Sequence, residues 1–513
     1  MSFSRPASRR RFLQHSTATV ATAFVASGLL ARLRAAESSG ASYLASTDTT
    51  TDPLFMSATK LAGLIRTKKL SATEVVKLHL ARIAAVNPKI NAVVALCAER
   101  ALAEAAEADA LLAQGKSKGA LHGVPMTIKD SFDTAGVVST GGTLGRKNFV
   151  PGKDATIVAR CREAGAILLG KTNTPEFTLG GGGKGTVNLV YGLTRNPYHL
   201  NYQPSGSSGG AGAIVASGGS SFDLGSDYGG SIRGPAFANG IAGLKPTLGM
   251  VPRTGHIVGY GGPFESFQET GPLARRVEDL TLLMPIISGP DWSDATMAPV
   301  PFGDPAAVDL KKLRIAYYST NGQVAPTAEL QATVKQCVGY FSALGVASIT
   351  ADAPPKMKEL GEIRNKFNGA DSREHIRRLL KLHGTTQSSP GLRLDGDVLP
   401  SPDFTRLCEE MDAIKSEQLA WFEKYDLIIC PASNSAPITH DAERPRNWTG
   451  ASYTSQYNTT GWPAGVVRCA TAEKDNLPLG IQVVGQPWRD DVVLAALAFI
   501  ESKTGGYVKP TAV

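Results

Sequence analysis

Residues 204–235 read PSGSSGGAGAIVASGGSSFDLGSDYGGSIRGP and hold ten glycines and eight serines but hardly any charge. An apolar run at residues 213–216 argues against a flexible linker, because a linker does not bury apolar side chains. Glycines in a packed segment indicate close backbone approach or a positive φ. Two serines, Ser208 and Ser231, each lie beside a Gly-Gly pair. The stretch therefore predicts either a packed glycine-rich turn or a serine nucleophile within a loop of backbone donors.

Helix-like and strand-like patterns alternate on both sides of this stretch. Residues 71–86 form an amphipathic pattern that opens with a capping box of Ser71 and Glu74, and we expect Pro88 to end this helix. Short apolar runs typical of buried strands occur at residues 123–128, 166–169, 313–318, 427–430, 464–469 and 479–484. The alternation predicts an α/β fold with a mixed sheet.

No stretch of linker composition divides the main part of the chain, so we expect one large domain over residues 53–513. Residues 290–420 are richer in charge and in helical patterns, and we expect them to form a cap that shapes a substrate pocket. Asp227 and Arg233 flank Ser231 in the sequence. We expect these two residues to form a structural ion pair that holds the loop.

The N-terminal segment has the composition of an export signal. Residues 8–14 read SRRRFLQ, and an apolar run follows from about residue 18 to residue 31. A basic start before a short apolar core is typical of a signal segment, and paired arginines before Phe-Leu indicate twin-arginine export. We therefore expect residues 1–36 to be a twin-arginine signal read by that export machinery and residues 37–52 to be a flexible spacer. The protein is then expected in the periplasm or outside the cell.

The charge distribution excludes several classes of partner. Six of the eight net positive charges come from arginines within residues 1–36, so the rest of the chain is nearly neutral and no nucleic-acid partner is predicted. No later run approaches the roughly 18 apolar residues that a membrane span needs. The six cysteines and eight histidines show no metal-ligand spacing, so neither a metal nor another cofactor is predicted. A homodimer remains open.

Two familiar serine-hydrolase patterns match only in short pieces. Residues 206–210 fit the G-x-S-x-G elbow with Ser208 as nucleophile, but the preceding residues resemble a loop and not the strand that this motif requires. Residues 57–60, 226–228 and 503–505 partly fit the motif set of penicillin-binding proteins and β-lactamases. The last of these pieces is expected to end a helix at the C-terminus. Both alternatives are therefore disfavoured.

Lys129 follows the apolar run at residues 123–128 and offers a different base. Such a lysine usually lies at the surface or in an ion pair. Burial, however, lowers the pKa of a lysine by disfavouring the ammonium form, and a neutral amine can act as a general base. A serine hydroxyl both accepts and donates, so it can relay a proton between a lysine and a second serine. A Lys–Ser–Ser triad therefore makes chemical sense.

Three long blocks of this chain resemble the amidase signature family. They are residues 121–130, residues 171–197 and residues 204–247, the last ending in GLKPT. Residues 453–482 are also similar, and to the fatty acid amide hydrolase branch in particular. The resemblance covers most of the chain after the N-terminal segment. It implies a single α/β domain whose mixed sheet of about eleven strands is covered by helices on both faces.

The resemblance also implies a catalytic site. By position in the motifs, Ser231 matches the nucleophile, Ser208 the bridging serine and Lys129 the base. The backbone N–H groups of an oxyanion loop match those of Tyr228, Gly229, Gly230 and Ser231. Such a site hydrolyses a small-molecule carboxylic acid amide to an acid and ammonia or an amine, through a serine acyl-enzyme.

Two other functions remain as alternatives. One component of the tRNA-dependent amidotransferase resembles this family but needs partner proteins and nucleic acid, which the export segment and the near-neutral charge disfavour. A binding protein without activity is disfavoured because Lys129, Ser208 and Ser231 are all present. The sequence does not indicate which acyl and amine groups are accepted.

Overall fold

The computed structural model describes residues 46–179, 183–257, 259, 262–442 and 452–513. The predicted export signal at residues 1–36 and most of the spacer at residues 37–52 lie outside the described residues. Among the helices that the structure describes, none is both long enough and apolar enough to cross a membrane.

Thirteen strands occur in the described part of the chain, and eleven of them form one mixed sheet. The strands are Val93–Leu96 (β1), Pro125–Lys129 (β2), Ile167–Thr172 (β3), Val187–Asn188 (β4), Gly192–Leu193 (β5), Phe222–Asp227 (β6), Ala242–Lys245 (β7), Glu269–Ala274 (β8), Arg314–Tyr317 (β9), Ser348–Ala351 (β10), Leu427–Pro431 (β11), Ala464–Thr471 (β12) and Pro478–Gly485 (β13). Their order in the sheet is β1-β3-β2-β6-β8-β7-β12-β13-β11-β9-β10, while β4 and β5 pair separately.

Parallel pairing is confined to two groups of strands in this sheet. Strands β3, β2 and β6 are parallel neighbours near one edge, and β11, β9 and β10 are parallel neighbours at the other. The remaining neighbours are antiparallel. The predicted mixed sheet of about eleven strands in a single α/β domain is confirmed.

Helices cover both faces of the sheet. Successive side chains of a strand point to opposite faces, and β3 shows this: Leu168 belongs to one apolar core, whereas Ile167 and Leu169 belong to another. The thirteen α-helices of the described residues are Ala58–Arg66 (α1), Ala72–Ile90 (α2), Ala98–Ala113 (α3), Thr156–Glu163 (α4), Gly209–Ala216 (α5), Arg233–Ala238 (α6), Val277–Ile287 (α7), Ala328–Leu344 (α8), Met357–Gly369 (α9), Glu374–Leu382 (α10), Ser401–Phe422 (α11), Ser452–Thr459 (α12) and Asp490–Thr504 (α13).

Helix α2 confirms one local prediction and corrects another. Its first turn has the predicted capping box of Ser71 and Glu74. The helix does not end at Pro88, however, but continues to Ile90. Pro88 lies in the last turn, where the missing N–H removes only one backbone hydrogen bond. Asn91 ends the helix in a left-handed conformation, and its N–H donates to the carbonyl of Asn87 at 2.8 Å.

The glycine-rich stretch connects the sheet to two helices beside the site. Ser208 immediately precedes α5, which is buried along its whole length, and β6 follows α5. Strand β6 then leads through residues 228–232 into α6. Because β2 and β6 are parallel neighbours, their carboxyl ends lie at the same edge of the sheet. This edge carries both Lys129 and the loop that follows β6.

Candidate active site

Lys129 ends strand β2 in a fully buried position. Its Nζ lies 2.7 Å from Ser207 Oγ and 2.9 Å from Ser226 Oγ. Burial lowers the pKa of Lys129 to about 7, because the ammonium form loses its hydration, while the charges of Asp227 and Asp223 oppose this shift. An amine that is largely neutral just above pH 7 can accept a proton from a hydroxyl.

The serine beside Lys129 is Ser207, and the prediction that Ser208 bridges the lysine and the nucleophile is wrong. The Ser208 side chain is fully buried, its Oγ lies 3.4 Å from the carbonyl oxygen of Ser226, and a Cβ at Gly225 would come within 2.7 Å of it. Ser207, by contrast, lines a cavity. Adjacent side chains of a loop point in different directions, so moving by one residue exchanges a cavity-facing hydroxyl for one packed against the sheet.

Ser207 and Ser231 line the same cavity, whose volume is about 390 Å³. Ser231 is partly exposed there. The N–H of Ser208 donates to the carbonyl of Ser231 at 3.1 Å, which ties the two serine-bearing segments together. Residues 228–230 line the cavity as well. The structure therefore brings Ser231 and the predicted loop to one cavity, with Lys129 directly behind Ser207.

Side chains hold the carbonyl groups of this loop. Arg364 donates to the carbonyl of Tyr228, and Thr454 Oγ1 donates to the carbonyl of Gly229 at 2.8 Å. In a planar trans peptide the N–H points opposite to the C=O, so the Gly229 amide points away from Arg364. The loop conformation is therefore fixed by the protein itself, and the Gly229 amide is a candidate oxyanion donor.

The Gly230 amide does not fit the predicted role of oxyanion donor. Its N–H already donates to Asp227 Oδ1 at 2.6 Å. Gly230 has a φ of +120°, and a Cβ at this position would overlap the side chain of Thr454. Glycine is therefore required here by conformation and close packing. Gly230 lines the cavity, but its amide stabilises the loop and not the substrate.

The predicted ion pair of Asp227 and Arg233 is confirmed, and both side chains are fully buried. Arg233 Nε and Nη2 lie 3.0 and 2.9 Å from the two carboxylate oxygens. The Ile232 amide also donates to Asp227, and Arg233 donates to Gln482. Burial alone would raise the pKa of Asp227, but the charge and hydrogen bonds of Arg233 hold that pKa well below its ordinary value. The pair fixes the loop on both sides of Ser231.

Two further polar side chains extend the site and were not predicted. Ser226 Oγ lies 2.9 Å from Lys129 Nζ, and His256 Nε2 lies 2.9 Å from Ser226 Oγ. Ser226 precedes Asp227 at the end of β6, which is the parallel neighbour of β2. His256 lies in a loop, in the sequence RTGHIV. No spacing or motif in the sequence marks it.

The two alternative serine-hydrolase patterns gain no support from the structure. Ser57 is the N-cap of α1, and its side chain accepts the N–H of Lys60 at 3.0 Å. Among the described residues, no strand leads directly into Ser208 as the nucleophile elbow requires. Within the described ranges, no three His, Cys, Asp or Glu side chains are grouped so that they could hold a metal ion.

Comparison with known proteins places the chain among amide-cleaving enzymes. The family model described as Amidase matches residues 74–494. A glutamyl-tRNA(Gln) amidotransferase subunit of Heliobacterium modesticaldum is 32% identical over 484 residues, which cover 88% of this chain and 97% of that protein. Indoleacetamide hydrolase of Bradyrhizobium diazoefficiens is 32% identical over 467 residues, which cover 88% of this chain and 86% of that protein. The solved structure of fatty acid amide hydrolase superposes with a TM-score of 0.78 at 26% identity, over 92% of this chain and 89% of that one.

Proposed function

This chain belongs to the amidase family and is an amide hydrolase, and on that premise we propose that Lys129, Ser207 and Ser231 cleave a carboxylic acid amide through an acyl-enzyme. The observation that carries the assignment is the 2.7 Å contact between Lys129 Nζ and Ser207 Oγ, at the wall of the cavity that also holds Ser231. Ser207 replaces Ser208 in the triad that the sequence predicted.

The proposed reaction begins with two proton transfers. Neutral Lys129 accepts the proton of Ser207, Ser207 accepts that of Ser231, and the Ser231 oxygen attacks the carbonyl carbon. The carbon–nitrogen bond then breaks while Ser207 returns a proton to the leaving nitrogen. Water attacks the resulting ester, which releases the carboxylic acid and restores the Ser231 hydroxyl. The contact between Lys129 and Ser207, and the presence of Ser207 and Ser231 in one cavity, support this sequence of steps.

The loop before Ser231 stabilises the negative charge that develops on the substrate carbonyl oxygen when Ser231 attacks. Because the Gly230 N–H donates to Asp227, the proposed donors are the remaining predicted amides, those of Tyr228, Gly229 and Ser231. A single backbone donor of this kind contributes about 3–4 kcal/mol to the transition state. Arg364 donates to the carbonyl of Tyr228, which shares a peptide with the Gly229 N–H, so this donor is oriented before the charge develops.

The walls of the cavity favour a small amide with an apolar acyl group. Phe237, Ile438 and other apolar side chains line it, and Arg373 is the one charged side chain that lines it among the described residues. Its volume of about 390 Å³ lies at the small end of the usual range for ligand pockets. We expect neutral or anionic amides to bind and cationic amides to be rejected, because no carboxylate of the described residues lines the cavity to pair with them.

The amidotransferase reaction is the second candidate, because relatives with that name are as similar as the indoleacetamide hydrolase. The two functions differ in their requirements. A hydrolase acts as a single purified chain, whereas an amidotransferase component needs partner proteins and a charged tRNA. Release of ammonia from simple amides by the purified chain, without tRNA or other proteins, supports hydrolysis; activity that appears only with such partners supports the alternative.

A substrate screen tests the proposed function and narrows the substrate. The purified enzyme is incubated with primary amides of increasing acyl length and with N-alkylated amides, and released ammonia or amine is measured. Turnover of at least one series, lost in Lys129→Ala and in Ser207→Ala, supports the proposal. Turnover that survives in both variants contradicts it.

We also propose that residues 1–36 direct twin-arginine export, since the sequence pairs Arg9 and Arg10 before an apolar run. Replacing both arginines by lysine is expected to keep the protein in the cytoplasm without changing its activity. Fractionation of cells that express the two forms measures this. Equal export of both forms contradicts the proposal.

A further inference from the structure

Beyond the three proposed catalytic residues, we propose that His256 is a positioning residue which, through Ser226, keeps the lone pair of Lys129 directed at Ser207. This inference rests on the proposed function, because it concerns how the base of that reaction is oriented. The four side chains form one hydrogen-bonded chain: His256 Nε2 to Ser226 Oγ at 2.9 Å, Ser226 Oγ to Lys129 Nζ at 2.9 Å, and Lys129 Nζ to Ser207 Oγ at 2.7 Å.

The imidazole is held firmly in this chain. Only 6% of His256 is exposed, and Ser226 is 1% exposed, so water does not compete for their contact. The ring packs edge-on against Phe132 with centroids 4.8 Å apart. The backbone N–H of His256 donates to the carbonyl of Arg253 at 2.9 Å, and a β-bridge joins His256 to Phe132. The backbone contacts therefore fix the main chain at His256, and the contacts with Phe132 and Ser226 hold the ring.

Counting protons shows why an acceptor at His256 matters. A neutral lysine amine has two N–H donors and one lone pair, and a serine hydroxyl has one proton to donate. If the Ser226 hydroxyl donated its hydrogen bond to Lys129 Nζ, that bond would occupy the lone pair that Ser207 needs. If the hydroxyl donates to His256 Nε2 instead, Ser226 Oγ accepts an N–H from Lys129. The lone pair of Lys129 then remains free for Ser207.

This arrangement requires the tautomer of His256 that carries its proton on Nδ1. Nδ1 is buried and has no hydrogen-bond partner among the described residues. The opposite tautomer would donate from Nε2 to Ser226 and turn the Ser226 proton towards Lys129. The two tautomers thus correspond to a productive and a blocked base, and the assignment can be observed directly by ¹⁵N NMR of the imidazole.

His256 acts as a neutral group in this role. Burial lowers the pKa of His256 well below its ordinary value, and Lys129, Arg253 and Lys171, the charged groups that face it, lower it further. Phe132 covers the ring edge and carries no charge. We therefore expect no separate titration of His256 in the working pH range, and any change in the pH profile of a His256 variant reports on Lys129.

The test compares His256→Phe with His256→Gln. Phenylalanine keeps a ring against Phe132 but removes the acceptor, whereas glutamine offers an oxygen close to the position of Nε2. We expect kcat to fall about tenfold in His256→Phe with little change in KM, and to recover in His256→Gln. Ser131→Ala, which removes another buried hydroxyl near the site, serves as control and should keep the wild-type kcat.

The direction of the pH shift separates positioning from simple damage. In His256→Phe, the Ser226 hydroxyl can donate a hydrogen bond to neutral Lys129, and this bond stabilises the neutral amine. The pKa of Lys129 then falls, and the acid limb of the pH–kcat profile moves to lower pH. A loosened site that admits water would instead raise the pKa of Lys129 and move the limb to higher pH. An upward shift overturns the proposal.

A double-mutant cycle completes the test. Because His256 acts through Ser226, adding His256→Phe to Ser226→Ala should cause no further loss of kcat. If the loss of kcat in the double variant equals the product of the two single losses, the proposal is overturned. A wild-type kcat in His256→Phe also overturns it. Thermal unfolding verifies that each variant is folded. If His256→Phe does not fold, the proposal is tested by the tautomer of His256 seen in the ¹⁵N spectrum and by comparing kcat of His256→Gln with that of Ser226→Ala. Failure of the proposed function itself is recognised separately, by activity that persists in Lys129→Ala.

Discussion

Lowering the pH below 7 should stop the enzyme by protonating Lys129. The pKa of this side chain is lowered by burial to about 7, so the neutral fraction falls from about nine-tenths at pH 8 to about one-tenth at pH 6 and one-hundredth at pH 5. If neutral Lys129 is the base, kcat falls in the same proportion, about ninefold from pH 8 to pH 6 and about tenfold for each further pH unit. Above pH 8 the rate should be flat.

The assay is the release of ammonia from an amide without titratable groups, measured between pH 5 and pH 10. Asp223 needs a control, since burial raises its pKa to about 7 as well. It contacts Thr127 and Thr172 and not the proposed nucleophile. Because the charge of Asp223 raises the pKa of Lys129, Asp223→Asn should retain the acid limb of the pH–kcat profile but move it to lower pH, whereas the limb should disappear if it belongs to Asp223. A rate that is constant from pH 5 to pH 8, or that keeps rising tenfold per unit to pH 10, refutes the role given to Lys129.

The same lowered pKa has a consequence for stability. Between pH 7 and about 10.5 the unfolded chain binds a proton at this lysine that the folded protein does not. Stability therefore rises with pH across this window. Lys129→Met removes this dependence, and we expect the variant to be more stable than the wild type at pH 7 by an amount that shrinks towards pH 10. Urea unfolding at several pH values measures it, and a pH-independent difference contradicts the buried neutral amine.

Three further substitutions have definite expected outcomes. Asp227→Asn leaves the buried Arg233 uncompensated and should lower the free energy of unfolding by about 3–5 kcal/mol in urea titrations; a loss below about 1 kcal/mol would show that the pair does not hold the loop. Gly230→Ala forces a Cβ onto Thr454, so both activity and melting temperature should fall, and unchanged kinetics would contradict the described loop. Arg373→Gln should improve kcat/KM for cationic amides while leaving that for neutral ones nearly unchanged, and an equal effect on both would exclude charge selection.

The strands were predictable where they are buried on both faces. Such strands show uninterrupted apolar runs, and the run at residues 427–430 corresponds to Leu427–Pro431. The end of α2 was not predictable from Pro88, because a proline in the last turn costs little once Asn91 can end the helix. The stop depends on where the chain must turn, which the local sequence does not show.

The candidate site was only partly predictable. Lys129 follows an apolar run and Ser231 follows a Gly-Gly pair, so both could be singled out from the sequence. The structure brings Lys129 and the loop before Ser231 to one edge of the sheet. Ser207 and Ser208 have the same local surroundings, so their sequence does not distinguish which hydroxyl faces the cavity. That choice depends on backbone torsions. His256 meets Ser226 across thirty residues of chain, and a contact of this kind leaves no pattern in a single sequence.

The central claim, that Lys129 activates Ser231 through Ser207, is tested most directly by the rate of labelling with a fluorophosphonate. The label is located by peptide mass spectrometry, and the rate is compared among the wild type, Ser207→Ala and Ser208→Ala. We expect the label on Ser231, a rate reduced about 100-fold or more in Ser207→Ala, and a rate within a few fold of wild type in Ser208→Ala. A label on another serine, or a large loss in Ser208→Ala without one in Ser207→Ala, would contradict the account.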